Sequence, residues 1–377
     1  MTYFDNGATT FYKPPEVIGA VTTALTRLSA NAGRAGHALS MRCGTLVVRA
    51  RERAAEFFGC PNPDRVVFCY NCTDALNIAI QGYLTNKGGH IVTTALEHNS
   101  VLRPLHELER RRIISLTVLQ PDHTGRITAT AVASALKATT TLVAVTHISN
   151  VTGAINPVSQ IGEVTSRYNI PLLVDAAQSA GYIPIDMREN NIDFLAIAPH
   201  KGVHAPQGVG VLLIGNRHNI TATRYGGTGS SSRSLYQPAD YPESLESGTL
   251  PLPAVAGFLA GLNYTAKHQA SHSAHLANLG HRLDNHLSQL KNIIRYNPPN
   301  SLGSIFTLNI GNYYSGEVSD ILSEQYNICV RGGLHCAPLA HTYLGTLERG
   351  AVRISLGVDN TADDVDYLAN ALKEISG

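Results

Sequence analysis

The stretch Pro171-Leu172-Leu173-Val174-Asp175-Ala176-Ala177-Gln178 decides the architecture, together with Phe194-Leu195-Ala196-Ile197-Ala198-Pro199-His200-Lys201 soon after it. Each is a short apolar run of strand length that ends in residues able to carry charge or hydrogen bonds. Working outward, further strand-like runs lie at 65–69, 90–94, 115–119, 141–146 and 208–214. Helix-like patterns at 75–83, 101–111, 128–136 and 158–168 fall between several of them. Strands alternating with helices predict a largely parallel sheet of seven strands covered by helices, an α/β fold.

Beyond residue 250 the pattern changes. A long helical pattern, with breaks, runs from 252 to about 290, followed by strands at 304–310, 328–331 and 352–356 and helices at 318–326 and 362–375. This predicts a smaller α+β unit, with the boundary at Pro251 and Pro253. The expected division is a large domain over 15–250 and a small one made of 1–14 and 251–377.

Composition narrows the function classes. The 377 residues are 44% hydrophobic and 15% charged, ordinary for a globular protein with a sizeable core. The net charge of +1 gives no field for nucleic acid or an anionic membrane. No apolar run approaches the roughly 20 residues of a membrane helix, and Met1–Asn6 lacks the basic start of a signal peptide, so a cytoplasmic protein is expected. Six cysteines (Cys43, Cys60, Cys69, Cys72, Cys329, Cys336) are too few for a disulfide framework in such a chain. Cys69 and Cys72 have C-x-x-C spacing but no second pair, so they read as core residues, and no metal site is expected.

In an open parallel sheet, ligands bind beyond the carboxyl ends of the strands. The residues there are Asn71-Cys72-Thr73, Glu97-His98-Asn99, Ser149-Asn150, Asp175-Ala176-Ala177-Gln178 and His200-Lys201. Their ordered set resembles the class V aminotransferases, pyridoxal 5′-phosphate (PLP) enzymes of fold type I, and within them the cysteine desulfurase and selenocysteine lyase branch. The start Phe4-Asp5-Asn6-Gly7-Ala8-Thr9-Thr10, the stretch from Asn31 to His37, and Glu246-Ser247-Gly248-Thr249 are similar to segments of the same family. The segment Arg331-Gly332-Gly333-Leu334-His335-Cys336-Ala337-Pro338 resembles the Suf-type group, with Leu334 where a second histidine is common.

The resemblance implies a role for each residue. Lys201, flanked by Pro199, His200 and Gly202, would join PLP through an imine, which requires a lysine pKa lowered by burial or nearby cations. His200 would form part of the same pocket wall. Asp175 would keep the pyridine nitrogen protonated, and Gln178 and Asn150 would neighbour the phenolic oxygen. Thr73, as a helix cap, and Asp74 would contribute at the phosphate, where helix N-termini favour anions. His98 would stack on the ring and relay protons. Thr228, in Gly226-Gly227-Thr228-Gly229-Ser230, would reach a partner subunit's phosphate across a two-fold interface, making a homodimer with shared sites.

Arg353 would bind the substrate carboxylate through its planar fork, with Asn6, Ala8 and Asn150 also at the substrate. Cys336 would attack the substrate sulfur as a thiolate, a form that a neighbouring histidine favours. The expected substrate is L-cysteine or L-selenocysteine, and the expected products are alanine and a persulfide for a protein sulfur acceptor. Two other readings stay open at this point. One is another class V reaction (transamination, epimerisation or C–S cleavage) that does not need Cys336; the other is a non-catalytic PLP-binding or sulfur-relay protein.

Overall fold

The computed structural model describes residues 1–32, 36–299 and 301–377. The expected α/β architecture is present, with a seven-stranded sheet at its centre. In chain order the elements of the first two thirds are β1 (Thr2–Tyr3), α1 (Pro15–Arg27), α2 (Ala38–Phe58), β2 (Val66–Cys69), α3 (Cys72–Leu84), β3 (Gly89–Thr94), α4 (Asn99–Arg110), β4 (Ile114–Leu119), α5 (Ala129–Ala135), β5 (Thr140–Thr146), α6 (Val158–Arg167), β6 (Leu172–Asp175), β7 (Phe194–Ile197) and β8 (Gly210–Ile214). The sheet order is β2-β8-β7-β6-β5-β3-β4. Only β8 runs against its neighbours, so the carboxyl ends of β2, β3, β5, β6 and β7 share one edge.

Both faces of this sheet are buried except along its edge strand β4, as continuous apolar strands require. One core packs Val92, Val143, Val174 and Leu213 against α2 and α6; the other packs Ile91, Leu142, Leu173 and Leu212 against α3 and α4. Alternate residues of each strand therefore face opposite cores. Gly210 on β8 has a packing reason: a Cβ there would lie 2.2 Å from the Asn71 backbone. The close approach seats the turn between β2 and α3 over the sheet edge.

The last third adds α7 (Leu252–Leu287), β9 (Ile293–Arg295), β10 (Ile305–Ile310), α8 (Ser315–Tyr326), β11 (Ile328–Cys329), β12 (Arg331–Gly333), α9 (Pro338–Leu344), β13 (Ala351–Ser355) and α10 (Ala362–Ser376). A four-stranded sheet orders as β12-β13-β10-β9, and β1 pairs with β11 in a separate two-stranded ladder. Phe4, fully buried, joins the core of this region with Leu308, Ile328 and Ile354.

Two expectations change here. The helix after Pro251 is unbroken over 36 residues in place of the expected breaks, with i, i+4 rings packed along its middle (Tyr264 on His268, His268 on His272). Its first half packs in the large-sheet core through Val255, Phe258 and Leu262, and its second half in the other core through Leu279 and Leu283. The single strand expected over 328–331 is two strands in different sheets, with Val330 as the crossing point. No helix among the described residues is long and apolar enough to cross a membrane.

Candidate active site

The strand-end residues converge on one cavity of about 200 Å³. Its lining includes Gly7, Ala8, Cys72, Thr73, His98, Asn150, Asp175, Gln178, His200, Lys201, Arg331, His335 and Arg353. The large sheet supplies the floor, and β12, β13 and the loop after β12 close it from the other side.

Lys201 follows β7 in a tight turn, its N–H donating to Ala198 O at 3.0 Å. Gly202 allows that turn to press on a neighbour, since a Cβ there would lie 2.3 Å from Ala180 O. Burial, reinforced by the Arg353 charge, pushes the Lys201 amine down to about 8. Asp175 ends β6 inside the same cavity, and burial raises its carboxyl above the usual range despite the attraction of Lys201. One backbone N–H, from Ala177 at 2.9 Å, and the Cys72 thiol at 3.9 Å are its hydrogen-bond partners. A buried carboxylate so sparsely served suits a cationic N–H partner.

The helix beside it offers a second kind of donor. The cap of α3 is Asn71, whose side chain accepts from Asp74 N at 2.9 Å. Thr73 is therefore inside the first turn, a correction to its expected role as cap. The backbone N–H groups of Cys72 and Thr73 have no acceptor among the described residues. Such a helix start binds anions. The Thr73 hydroxyl bonds Ser100 Oγ at 2.7 Å, and Ser100 Oγ bonds His98 Nδ1 at 2.8 Å. Asp74 does not join them: its carboxylate accepts from Tyr70 N at 3.0 Å and pairs with Arg224 at 3.0 Å, away from the lining. A carboxylate facing a bound anion would repel it, which is why the pairing with Arg224 is the better use of it.

His98 caps α4, with Nδ1 accepting from Ser100 N at 3.1 Å. Nδ1 is thus the acceptor and Nε2 carries the proton of a neutral ring, and burial beside Lys201 holds its pKa down to about 4. That arrangement suits stacking on a bound ring. His200 also lines the cavity, its Nδ1 3.0 Å from Thr9 Oγ1, with burial pushing it down to about 4. Gln178 donates to Gly7 O at 2.9 Å and so ties the N-terminal segment to the floor.

Arg353 on β13 is 1% exposed. Its Nη2 donates to Asp5 Oδ1 at 2.7 Å and its Nη1 to Asn150 O at 3.2 Å, while its buried Nε has no partner among the described residues. One arm of the expected fork is therefore already engaged by Asp5. Ala8 lines the cavity. Asn6 does not: its side chain is spent on Ser355 O, at 3.2 Å, and on Phe11 N, at 3.1 Å, so it braces the backbone instead of touching substrate.

Cys336 is exposed and lies outside the lining, while its neighbours His335 and Arg331 are part of it. Its loop is pinned at two carbonyls: Asn150 Nδ2 donates to His335 O at 2.7 Å and Asn99 N to Cys336 O at 2.6 Å. The His335 ring is buried against His341 and does not serve the thiol, contrary to expectation. Thr228 lies apart, on a second cavity of about 480 Å³ shared with Arg51 and Glu246. Glu246 pairs with both guanidinium arms of Arg51, at 2.8 and 2.6 Å, and accepts from Phe68 N, which makes that segment structural. Of the stretch from Asn31 to His37, Gly33, Arg34 and Ala35 lie outside the described residues.

Sequence reasoning gave no role to three residues. Cys72 reaches Asp175, although its place in the first turn beside Thr73 was a usable signal. Arg331 lines the cavity because it pairs in register with Arg353 across β12 and β13, which no local pattern announces. Glu97, buried, accepts from Thr94 Oγ1 at 2.6 Å and Thr146 N at 2.8 Å and braces β3 against β5. Burial pushes its carboxyl up to about 8.

Comparison with known proteins agrees with this geometry. Residues 2–368 match the family described as Aminotransferase class-V. A probable cysteine desulfurase of Methanothermobacter thermautotrophicus is 32% identical over 381 residues, covering 100% of this chain and 94% of the relative. A probable cysteine desulfurase of Pyrococcus abyssi is 31% identical over 386 residues, covering 99% of this chain and 94% of the relative. The solved apo structure of a cysteine desulfurase from Thermococcus onnurineus superposes with a TM-score of 0.93 at 30% identity, covering 100% of this chain and 94% of that one. With the family matched across nearly its whole length and its fold reproduced, this chain belongs to the class-V aminotransferases.

Proposed function

We propose that this protein is a PLP-dependent cysteine desulfurase, converting L-cysteine to L-alanine and leaving the sulfur as a persulfide on Cys336. The observation that carries the reading is the Lys201 amine, lowered to about 8, in one cavity with the buried Asp175 carboxyl and an exposed, pinned cysteine beside that cavity. When bound, PLP supplies an electron sink for the pair released at the substrate α-carbon. Lys201 would hold it covalently, Asp175 would sit at its ring nitrogen, and Gln178 and Asn150 would face its phenolic oxygen. Thr73 and the free N–H groups of α3 would take the phosphate, and His98 would cover the ring face.

The chain's own groups then divide the work. The unsatisfied Arg353 Nε–H orients the substrate carboxylate. Lys201, freed when the substrate's own amine takes its place, would take the α-proton and return it. Cys336 Sγ bonds to the substrate sulfur as the carbon–sulfur bond breaks. L-cysteine and one thiol enter, L-alanine and one persulfide leave, and no outside oxidant is needed. L-selenocysteine suits the same site, with less demand on Cys336 because selenium leaves more easily.

Further parts of the reading have their own support. We read residues 15–250 as the coenzyme-binding domain, and 1–14 with 251–377 as the domain that closes over it. A homodimer with shared sites is supported by the segment around Thr228, where Tyr225, Leu235 and Tyr236 are 76%, 99% and 86% exposed. Thr228 would then serve the partner's phosphate. The exposure of Cys336 suits delivery of sulfur to an acceptor protein, and the protein is read as cytoplasmic.

That same exposure, outside the lining, favours a second reading in which another class V reaction proceeds without Cys336. A substrate panel on wild type and Cys336→Ala, measuring alanine with sulfide or selenide, separates the two. Loss of alanine from L-cysteine by roughly a hundredfold supports the desulfurase; equal yield from both proteins supports the alternative.

A further inference from the structure

Behind the Cys336 loop lies a chain of buried hydrogen bonds that the proposed reaction does not use. His335 Nε2 is 3.1 Å from Arg331 O, His335 Nδ1 is 3.3 Å from His341 Nε2, and His341 Nδ1 is 2.7 Å from Thr346 Oγ1. The rings stack with centroids 5.5 Å apart and 23° between planes. His335, His341 and Thr346 are 3%, 0% and 4% exposed.

The carbonyl at one end dictates every proton in the chain. Arg331 O can only accept, so His335 carries its proton on Nε2 and offers a lone pair at Nδ1. His341 must then donate from Nε2, which leaves its own Nδ1 as acceptor for the Thr346 hydroxyl. Both imidazoles are neutral in this arrangement. Burial agrees, holding His335 down to about 3 and His341 down to about 4, with Arg353 and Arg331 the cations that also face His335. With both nitrogens committed, His335 has no lone pair left for the neighbouring thiol.

The chain sits where the backbone is least comfortable. His335 and Cys336 are consecutive non-glycine residues with φ of +50° and +57°, in the left-handed region. Such a pair persists only where its surroundings over-determine it. Asn150 and Asn99 fix its two carbonyls from outside; the imidazole chain fixes its one buried side chain from inside.

We propose that His341 and Thr346 are positioning residues: by holding the orientation of the His335 ring, whose tautomer Arg331 O sets, they hold the left-handed His335–Cys336 turn that presents the Cys336 sulfur beside the cavity. The inference rests on the reading of Cys336 as nucleophile, and one of its readouts is independent of turnover.

The test compares holoenzyme Thr346→Val, which keeps the shape and loses the donor, with Thr346→Ser, which keeps the donor. Alanine formation from L-cysteine should fall about tenfold in kcat in the valine variant with KM within about twofold, and return to near wild type in the serine variant. Deuterium exchange at the Asn99 N–H, whose acceptor is Cys336 O, should quicken about tenfold in Thr346→Val and His341→Ala, and stay slow in Thr346→Ser. The pH midpoint of Cys336 alkylation should be the same in all of them. The proposal is overturned if Thr346→Val turns over like wild type with slow Asn99 exchange, if serine fails to restore a deficit that valine shows, or if His341→Ala moves the alkylation midpoint. Should Cys336→Ala make alanine normally, the desulfurase reading fails, while the exchange data still decide the geometry.

Discussion

The floor and the rim of the cavity are built by different physics. On the floor, Asp175 ends its strand and His98, Asn150 and Lys201 sit just past theirs, so the sheet itself delivers them. Their properties come from burial: an amine held down to about 8 and a carboxyl held up. On the rim, Arg331, His335 and Cys336 ride a short strand and a loop with two left-handed residues, held by individual hydrogen bonds. A floor of this kind tolerates change in any one contact, because the strand ladder remains. A rim of this kind depends on each bond.

Lys201→Ala should break the comparison most severely. Alanine formation should fall by roughly a thousandfold or more, and PLP absorption typical of a lysine-linked coenzyme should vanish. Cys336→Ala should sharpen the contrast: it should cost roughly a hundredfold in alanine from L-cysteine, as the substrate panel would show, yet leave the coenzyme spectrum unchanged. A rim variant that lost the coenzyme would contradict the division.

The pH dependence of coenzyme loading tests the floor alone. The Lys201 pKa is lowered, so its nucleophilic unprotonated fraction is about one tenth at pH 7 and about half at pH 8. Loading of apo-protein, followed by absorbance, should therefore rise about tenfold per pH unit below 7, about fivefold between 7 and 8, and level off above about 9. A rise continuing to pH 10 would mean an ordinary, solvated lysine. The smallest effect is expected for Asp74→Asn. Since the Asp74 carboxylate pairs with Arg224 outside the cavity, the KM for L-cysteine should stay within about twofold, with a stability loss of about 1 kcal/mol or less from the part-exposed ion pair, seen in thermal unfolding.

Much of the floor is legible in the sequence. Apolar runs announce strands, alternation announces a parallel sheet, and the rule for such sheets places strand-end residues on one edge. Lys201, Asp175, Gln178, Asn150 and His98 follow from that reasoning, helped by family resemblance. The expectations for Asn6 and Asp74 fail because adjacency in a motif says nothing about direction. Asn6 turns to Ser355 O, and Asp74 turns to Arg224, each satisfied by a residue far away in sequence. The helical pattern after Pro251 reads with breaks, whereas the helix runs unbroken from Leu252 to Leu287, with rings four apart packed along its middle.

By itself, the sequence determined the strand-and-helix order and the chemistry available at each strand end, because both follow from local periodicity and residue type. Only the tertiary structure decided which nitrogens are free and which are committed. Arg331 faces Arg353 through an antiparallel register, and the tautomers of His335 and His341 descend from a single carbonyl. Proton positions of that kind depend on who stands opposite whom, and contact across hundreds of residues leaves no periodic trace in the chain.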